Sequence, residues 1–235
     1  MPAEYRMFGL TFSVLSEEAI ATRIATTLRS PAQGVGLVIT PNIQHISLLR
    51  HNPALLRACQ HAAILTCDGF PLYYYAKWRG LPVPGRVTGR GIVAALVARP
   101  DRLRQHRLFM VLDSQATVAA AQSWAARHGL ADRLACAVPA IGFDKRPADM
   151  ERLAHQIAAH GTTLLFMGVV SPRSEIFVVQ YRASLPSCWA LCIRPAPLVS
   201  FGRLPAPPRL VLRLHLALLW PHTPEPPPTS GRSPA

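Results

Sequence analysis

Four places in the 235-residue chain set residues able to do chemistry at the end of an apolar run. Asp68 follows AAILTC and precedes Gly69; Thr40, Pro41 and Asn42 close GVGLVIT; Asp113 and Ser114 follow HRLFMVL; Gly168, Val169, Val170, Ser171, Pro172 and Arg173 follow TTLLFM. A fifth stretch, GRVTGRG over 85–91, stands directly ahead of an apolar helical pattern. Asp68 stands at a strand end, where a carboxylate can face the cleft while Gly69 turns the chain away from the core, although local pattern by itself favours a plain Asp-Gly turn. Ser171 before Pro172 predicts a helix N-cap with proline at the first helical position, which would point free N–H groups and the positive end of the helix dipole outward. With Arg173 beside it, that start suits either a diphosphate or an ordinary helix beginning. GRVTGRG supplies glycines for close backbone approach and Arg86 and Arg90 for charge, but matches neither the P-loop nor the G-x-G-x-x-G pattern.

These residues need a frame that delivers them to one edge. Short apolar runs alternate with helical patterns: MFGLTFSV, GVGLVIT, AAILTC, HRLFMVLD, RLACAVPA, TTLLFMGVV and SCWALCI read as strands, with helices between them. Strands apolar throughout, separated by helices, predict an α/β, Rossmann-like, mostly parallel sheet with helices on both faces. In such a sheet ligands collect beyond the carboxyl ends of the strands, which is where the four places fall. Tyr73, Tyr74 and Tyr75 sit on one helix, about 100° apart in turn, so they spread rather than form one stacking surface, and one or two belong to the core.

A formal charge of +13 suits an anionic partner, and 50% hydrophobic residues suffice for a substantial core. Five cysteines without a C-x-x-C pair, each in an apolar run, are expected to be buried and reduced, which implies folding in the cytosol; Cys188 and Cys192 lack a second ligand pair with metal spacing. No run reaches the ~20 apolar residues that span a bilayer; LVLRLHLALLW (210–220) is short and interrupted by Arg213 and His215. From Arg194 onward stand eleven of the 23 prolines, and Glu225 is the only acid after Glu175. The expected division is therefore an α/β domain over 1–193 and a basic, Pro-rich, partly disordered tail over 194–235. A dinucleotide-dependent oxidoreductase is disfavoured because no G-x-G-x-x-G follows a strand, and a nucleic-acid binder because no binding module is recognisable.

Taken together, TPNIQHISLLRHNPALLRACQHAAILTCDGFPL, LPVPGRVTGRGIV, AIGF and MGVVSPRSEIFV resemble, in content and spacing, the blocks of the WecG/TagA/CpsF family of bacterial glycosyltransferases, from about Phe8 to Cys192. Gly85 stands where the family usually has an acid, and Val169-Val170 where a glycine or alanine is usual. The resemblance implies a metal-independent, cofactor-free, inverting transfer from a UDP-sugar to a polyprenyl-diphosphate-linked sugar in cell-surface or exopolysaccharide synthesis. It implies Asp68 as the general base. Thr40, Asn42, Gly69, Arg86, Thr88 and Gly89 would bind substrate, and Gly168, Ser171, Pro172, Arg173 and Glu175 would hold the nucleotide or diphosphate. The implied setting is cytoplasmic, peripheral to the inner face of an anionic membrane, with a homo-oligomer as a further possible partner and no nucleic acid. The tail departs from the family's acid-bearing C-terminal block, so the alternative is a catalytically impaired relative that only binds nucleotide-sugar or membrane.

Overall fold

In a computed structural model of the chain, residues 4–193 are described; the expected tail and its 210–220 segment lie outside them. Six strands form one parallel sheet: β3 (Gly36–Ile39), β4 (Ile64–Leu65), β5 (Leu108–Val111), β6 (Leu134–Ala137), β7 (Leu164–Met167) and β8 (Trp189–Cys192), in the order β4-β3-β8-β7-β5-β6. The last strand thus runs between the first strand of this sheet and β7, so the chain's two halves are joined at the sheet's centre. Ile39 pairs with Leu65 and Cys192, and Met167 with Cys192 and Val111, which sets the strand ends level.

The strands read as unbroken apolar runs because each face is covered. Leu37, Ile39, Phe109, Val111, Leu165, Met167, Ala190 and Cys192 enter one core, whereas Val38, Leu108, Met110, Leu164, Phe166, Trp189 and Leu191 enter the other. Strand side chains alternate with period two, so each run divides between the two cores. Helices α1 (Glu17–Thr26), α5 (Gly89–Val97) and α6 (Gln115–Arg127) bury residues in the second core. Helices α3 (Pro53–Gln60), α4 (Phe70–Trp78), α7 (Pro147–Ala159) and α8 (Arg173–Gln180) supply the first, and α2 (Ile43–Leu49) adds Leu49 to it.

One expectation is corrected by the N-terminal segment. MFGLTFSV is not one strand: it belongs to an antiparallel hairpin, β1 (Glu4–Met7) with β2 (Leu10–Ser13), separate from the parallel sheet. Gly9 at φ +75 makes the turn that the apolar run conceals. Of the three tyrosines, Tyr73 and Tyr75 are partly buried against the core beside the buried Leu72 and Ala76, whereas Tyr74 is exposed and meets Tyr73 at 5.4 Å between ring centroids. All five cysteines are free, four of them buried and Cys136 half-buried. Among the described residues no helix is long and apolar enough to cross a membrane.

Candidate active site

The carboxyl ends of β3 and β4 and the start of α5 converge on Asp68. Its backbone N–H donates to Pro41 O at 2.9 Å, tying the turn after β4 to the Thr40-Pro41-Asn42 segment. Gly69, at φ +85, then starts α4, and a Cβ there would come 3.5 Å from Asn42 Cβ. Val87 N–H donates to Cys67 O at 3.0 Å, which draws the 85–89 loop alongside the same strand end. Gly89 is needed for close packing: a Cβ would lie 2.5 Å from Ile193 Cγ2 and 3.3 Å from Thr40 Oγ1. Thr40, Asn42, Asp68, Gly69, Arg86, Thr88 and Gly89 therefore occupy one corner of the sheet. The Arg86 guanidinium stacks on Phe70, 4.5 Å from the ring centroid.

Glu17, 71 residues before Thr88, builds this corner. Its Oε1 accepts from the Thr88 N–H at 2.7 Å and from the Thr88 hydroxyl at 2.8 Å, while Thr88 Oγ1 accepts from Gly91 N–H at 2.9 Å. A Cβ on Gly91 would fall 2.0 Å from the Glu17 carboxylate, so only glycine leaves room for it. A protein carboxylate thus fills the N-terminus of α5, where the helix dipole favours negative charge. Local pattern explains Glu17 adequately as a first-turn acid of α1, so no sequence signal marks this role.

Burial pushes the Asp68 carboxyl up to about 6, and the charge of Glu17 pushes it the same way; the Arg86 guanidinium, the Gly69 amide and His45 pull against them. A half-buried carboxylate with this affinity is ionised near neutral pH yet holds a proton more readily than an ordinary aspartate, as proton abstraction requires.

The third block is arranged differently from the expectation. Ser171 does not cap α8: it precedes a cis peptide to Pro172, Pro172 takes the cap position without a side-chain cap hydrogen bond, and Ser171 Oγ is buried without a partner. Arg173 N–H already donates to Val170 O at 3.2 Å, and Arg173 Nε lies 3.3 Å from Asp144 Oδ2, in the turn after AIGF. Gly168 has a packing reason, since a Cβ would come 2.7 Å from Val111 O. Glu175 is only 2% exposed. Its carboxylate accepts from Ser174 Oγ at 2.7 Å and faces His45 Nε2 at 3.5 Å; burial works against its charge, yet these partners and its own amide hold it below the usual carboxylate range. His45 Nδ1 in turn lies 2.9 Å from Asn42 Oδ1, whose oxygen also caps α2 through Gln44 and His45 N–H. Glu175 is thereby linked to the Asp68 corner through His45 and Asn42, a connection that the sequence does not signal. Asp113 and Ser114 serve α6: Ser114 Oγ accepts from Thr117 N–H, and Asp113 Oδ1 from the Thr117 hydroxyl at 2.8 Å.

The chain is similar to the N-acetylglucosaminyldiphosphoundecaprenol N-acetyl-beta-D-mannosaminyltransferase of Bacillus spizizenii strain W23, 22% identical over 209 residues that cover 86% of this chain and 76% of that protein. The profile of the glycosyl transferase WecG/TagA/CpsF family matches residues 5–232, well past Cys192 where the quoted blocks end. A parallel α/β sheet, the blocks gathered at its carboxyl edge and a match over nearly the whole length agree: the chain belongs to the WecG/TagA/CpsF family of glycosyltransferases.

Proposed function

We propose that the chain transfers a sugar, with inversion and without a metal, from a UDP-sugar to a sugar carried on a polyprenyl diphosphate, with Asp68 as the general base. The acceptor hydroxyl oxygen attacks the anomeric carbon, its proton passes to Asp68, and the bond from that carbon to the diphosphate oxygen breaks to release UDP. Asp68 carries this reading: it is the carboxylate at the shared end of β3 and β4, with its affinity for protons raised to about 6. The name of the Bacillus relative makes N-acetylmannosamine the first donor sugar to test and diphosphate-linked N-acetylglucosamine the first acceptor. Thr40, Asn42 and Gly69 line the acceptor side; Arg86, Thr88 and Gly89 shape the loop beside it, and Arg86 offsets the charge developing on the leaving diphosphate. Arg173 is the second cation for that diphosphate, with Gly168, Ser171, Pro172 and Glu175 shaping its loop.

The decisive assay measures UDP release from a panel of UDP-sugars in the presence of a synthetic polyprenyl-diphosphate N-acetylglucosamine, with chelator present. Release that depends on the acceptor and persists in chelator is the expected result; no release from any UDP-sugar would refute the reading. Proline-rich composition after Arg194 favours an impaired relative that binds UDP-sugar without turnover, and binding without release would identify it. The family match across 194–232 favours turnover.

A further inference from the structure

The α4 helix carries a chemistry that the transfer reaction does not use. Trp78 is 80% exposed and Tyr74 52% exposed on one helix, and at the tip of the β1–β2 hairpin Phe8 is 42% exposed. Phe8 stacks on Tyr75 at 5.2 Å, and Tyr75 meets Trp78 at 6.1 Å, so hairpin tip and helix form one aromatic surface. Basic groups sit among these rings: Lys77 Nζ lies 5.8 Å from the Tyr73 ring centroid, and Arg79 Nη1 donates to Tyr75 Oη at 3.3 Å. Phe8 has φ +53, a left-handed conformation that is costly for a bulky residue and here holds a large apolar ring toward solvent. From Phe70 to Gly80, the helix and the turn that follows it, the chain has no acid, but has Lys77 and Arg79.

We propose that Phe8, Tyr75 and Trp78, with Lys77 and Arg79, form a docking surface for the interface of an anionic lipid bilayer. Amphipathic rings beside cationic heads match that layer, where ring bodies enter the acyl boundary and the cations meet lipid phosphates. Lys77 and Arg79, on a helix that carries no acid, supply the charge complementarity. The surface lies on the helix that Asp68 and Gly69 begin, so docking would set the candidate site beside the headgroups. That benefit rests on the lipid-linked acceptor of the proposed function; the docking itself does not.

Trp78 can report its own environment in the full chain, because Trp124 and Trp189 are buried and Trp220 can be replaced. In a Trp220→Phe protein mixed with phosphatidylglycerol-containing vesicles, Trp78 emission should shift to the blue and be quenched by acyl-brominated lipid, and Trp78→Phe should abolish both signals. Phe8→Ala with Trp78→Ala should lower vesicle partitioning by about tenfold or more, and added salt should lower it further. Vesicle-bound protein with unquenched Trp78 would place docking elsewhere and overturn the proposal, as would no binding to anionic vesicles. Trp78 emission already blue and shielded from a soluble quencher without vesicles would mean that the chain itself or a second copy covers the face, and would overturn it too. Transfer to a short-chain, water-soluble acceptor separates this proposal from the transfer reading. Turnover there should survive Phe8→Ala and Trp78→Ala, and its loss with vesicle binding intact would assign the rings to the acceptor instead. A parent without transfer would refute the reaction and leave the vesicle result standing.

Discussion

Replacing Asp68 by Asn keeps the shape of the side chain and removes its basicity, so it separates a base from a turn residue. Burial and Glu17 together hold the Asp68 carboxyl at about 6 in place of the usual 3.8. Its folded affinity for protons exceeds its unfolded affinity, so the stabilising effect is complete below the ordinary value and is lost as pH rises through about 6. At pH 7.5 the ionised group therefore costs folding up to about 3 kcal/mol, at 1.36 kcal/mol per pH unit. Asn removes that cost. Asp68→Asn should melt at the same temperature as the parent or several degrees above it at pH 7.5, with the advantage vanishing near pH 4. UDP-sugar binding should persist, and transfer should fall by roughly 100- to 10,000-fold. In the parent, kcat/KM should rise with pH to half its plateau near pH 6, because the base must be ionised. Differential scanning fluorimetry, calorimetry with UDP and a UDP-release assay read the three quantities. A variant that keeps most of its turnover, or one that loses activity only in step with stability, would refute the assignment.

Glu17→Gln removes a charge that raises Asp68, so the acid limb of the rate profile should move to lower pH; an unmoved limb would detach Glu17 from the site. Glu17→Ala also strips the acceptor from Thr88 and should cost about 1 kcal/mol or more in urea unfolding. Glu175→Ala leaves Ser174 and His45 without their buried partner; about 2 kcal/mol of lost stability is expected, with reduced transfer through the displaced Asn42, and near-parent values of both would refute that link. Gly168→Ala drives a methyl toward Val111 O and should destabilise by about 1–3 kcal/mol, measured by thermal melting, without changing the pH profile.

The strands and the helices between them were legible because their signals are local. A strand buried on both faces must be apolar at every position, as LFMV and LLFM are, and a helix over the sheet shows its own period and cap. The same rule located Thr40, Asn42 and Asp68 at strand ends, since a parallel sheet leaves those positions open to ligands. It failed where one apolar run holds two structures: MFGLTFSV reads as a single strand, and only the backbone at Phe8 and Gly9 reveals the hairpin.

Tertiary structure alone decided which of these ends are neighbours. Inserting β8 between β3 and β7 is a matter of crossover and pairing, in which side-chain periodicity has no part, and it brings Ile193 against Gly89. Ser171-Pro172 carries the local signature of a cap, yet Glu175, turning inward to His45, places its carboxylate at the start of α8. Glu17 looks like a first-turn acid, yet its carboxylate seals α5 at Thr88. A carboxylate in a low-dielectric corner is stabilised by whichever donors surround it, and its sequence neighbours say nothing about donors 71 residues away. Residue types and spacing therefore placed Asp68 at a strand end, and its likeness to the family's D-G block made it the candidate base, whereas its raised proton affinity and the carboxylates that frame it are properties of the packed chain.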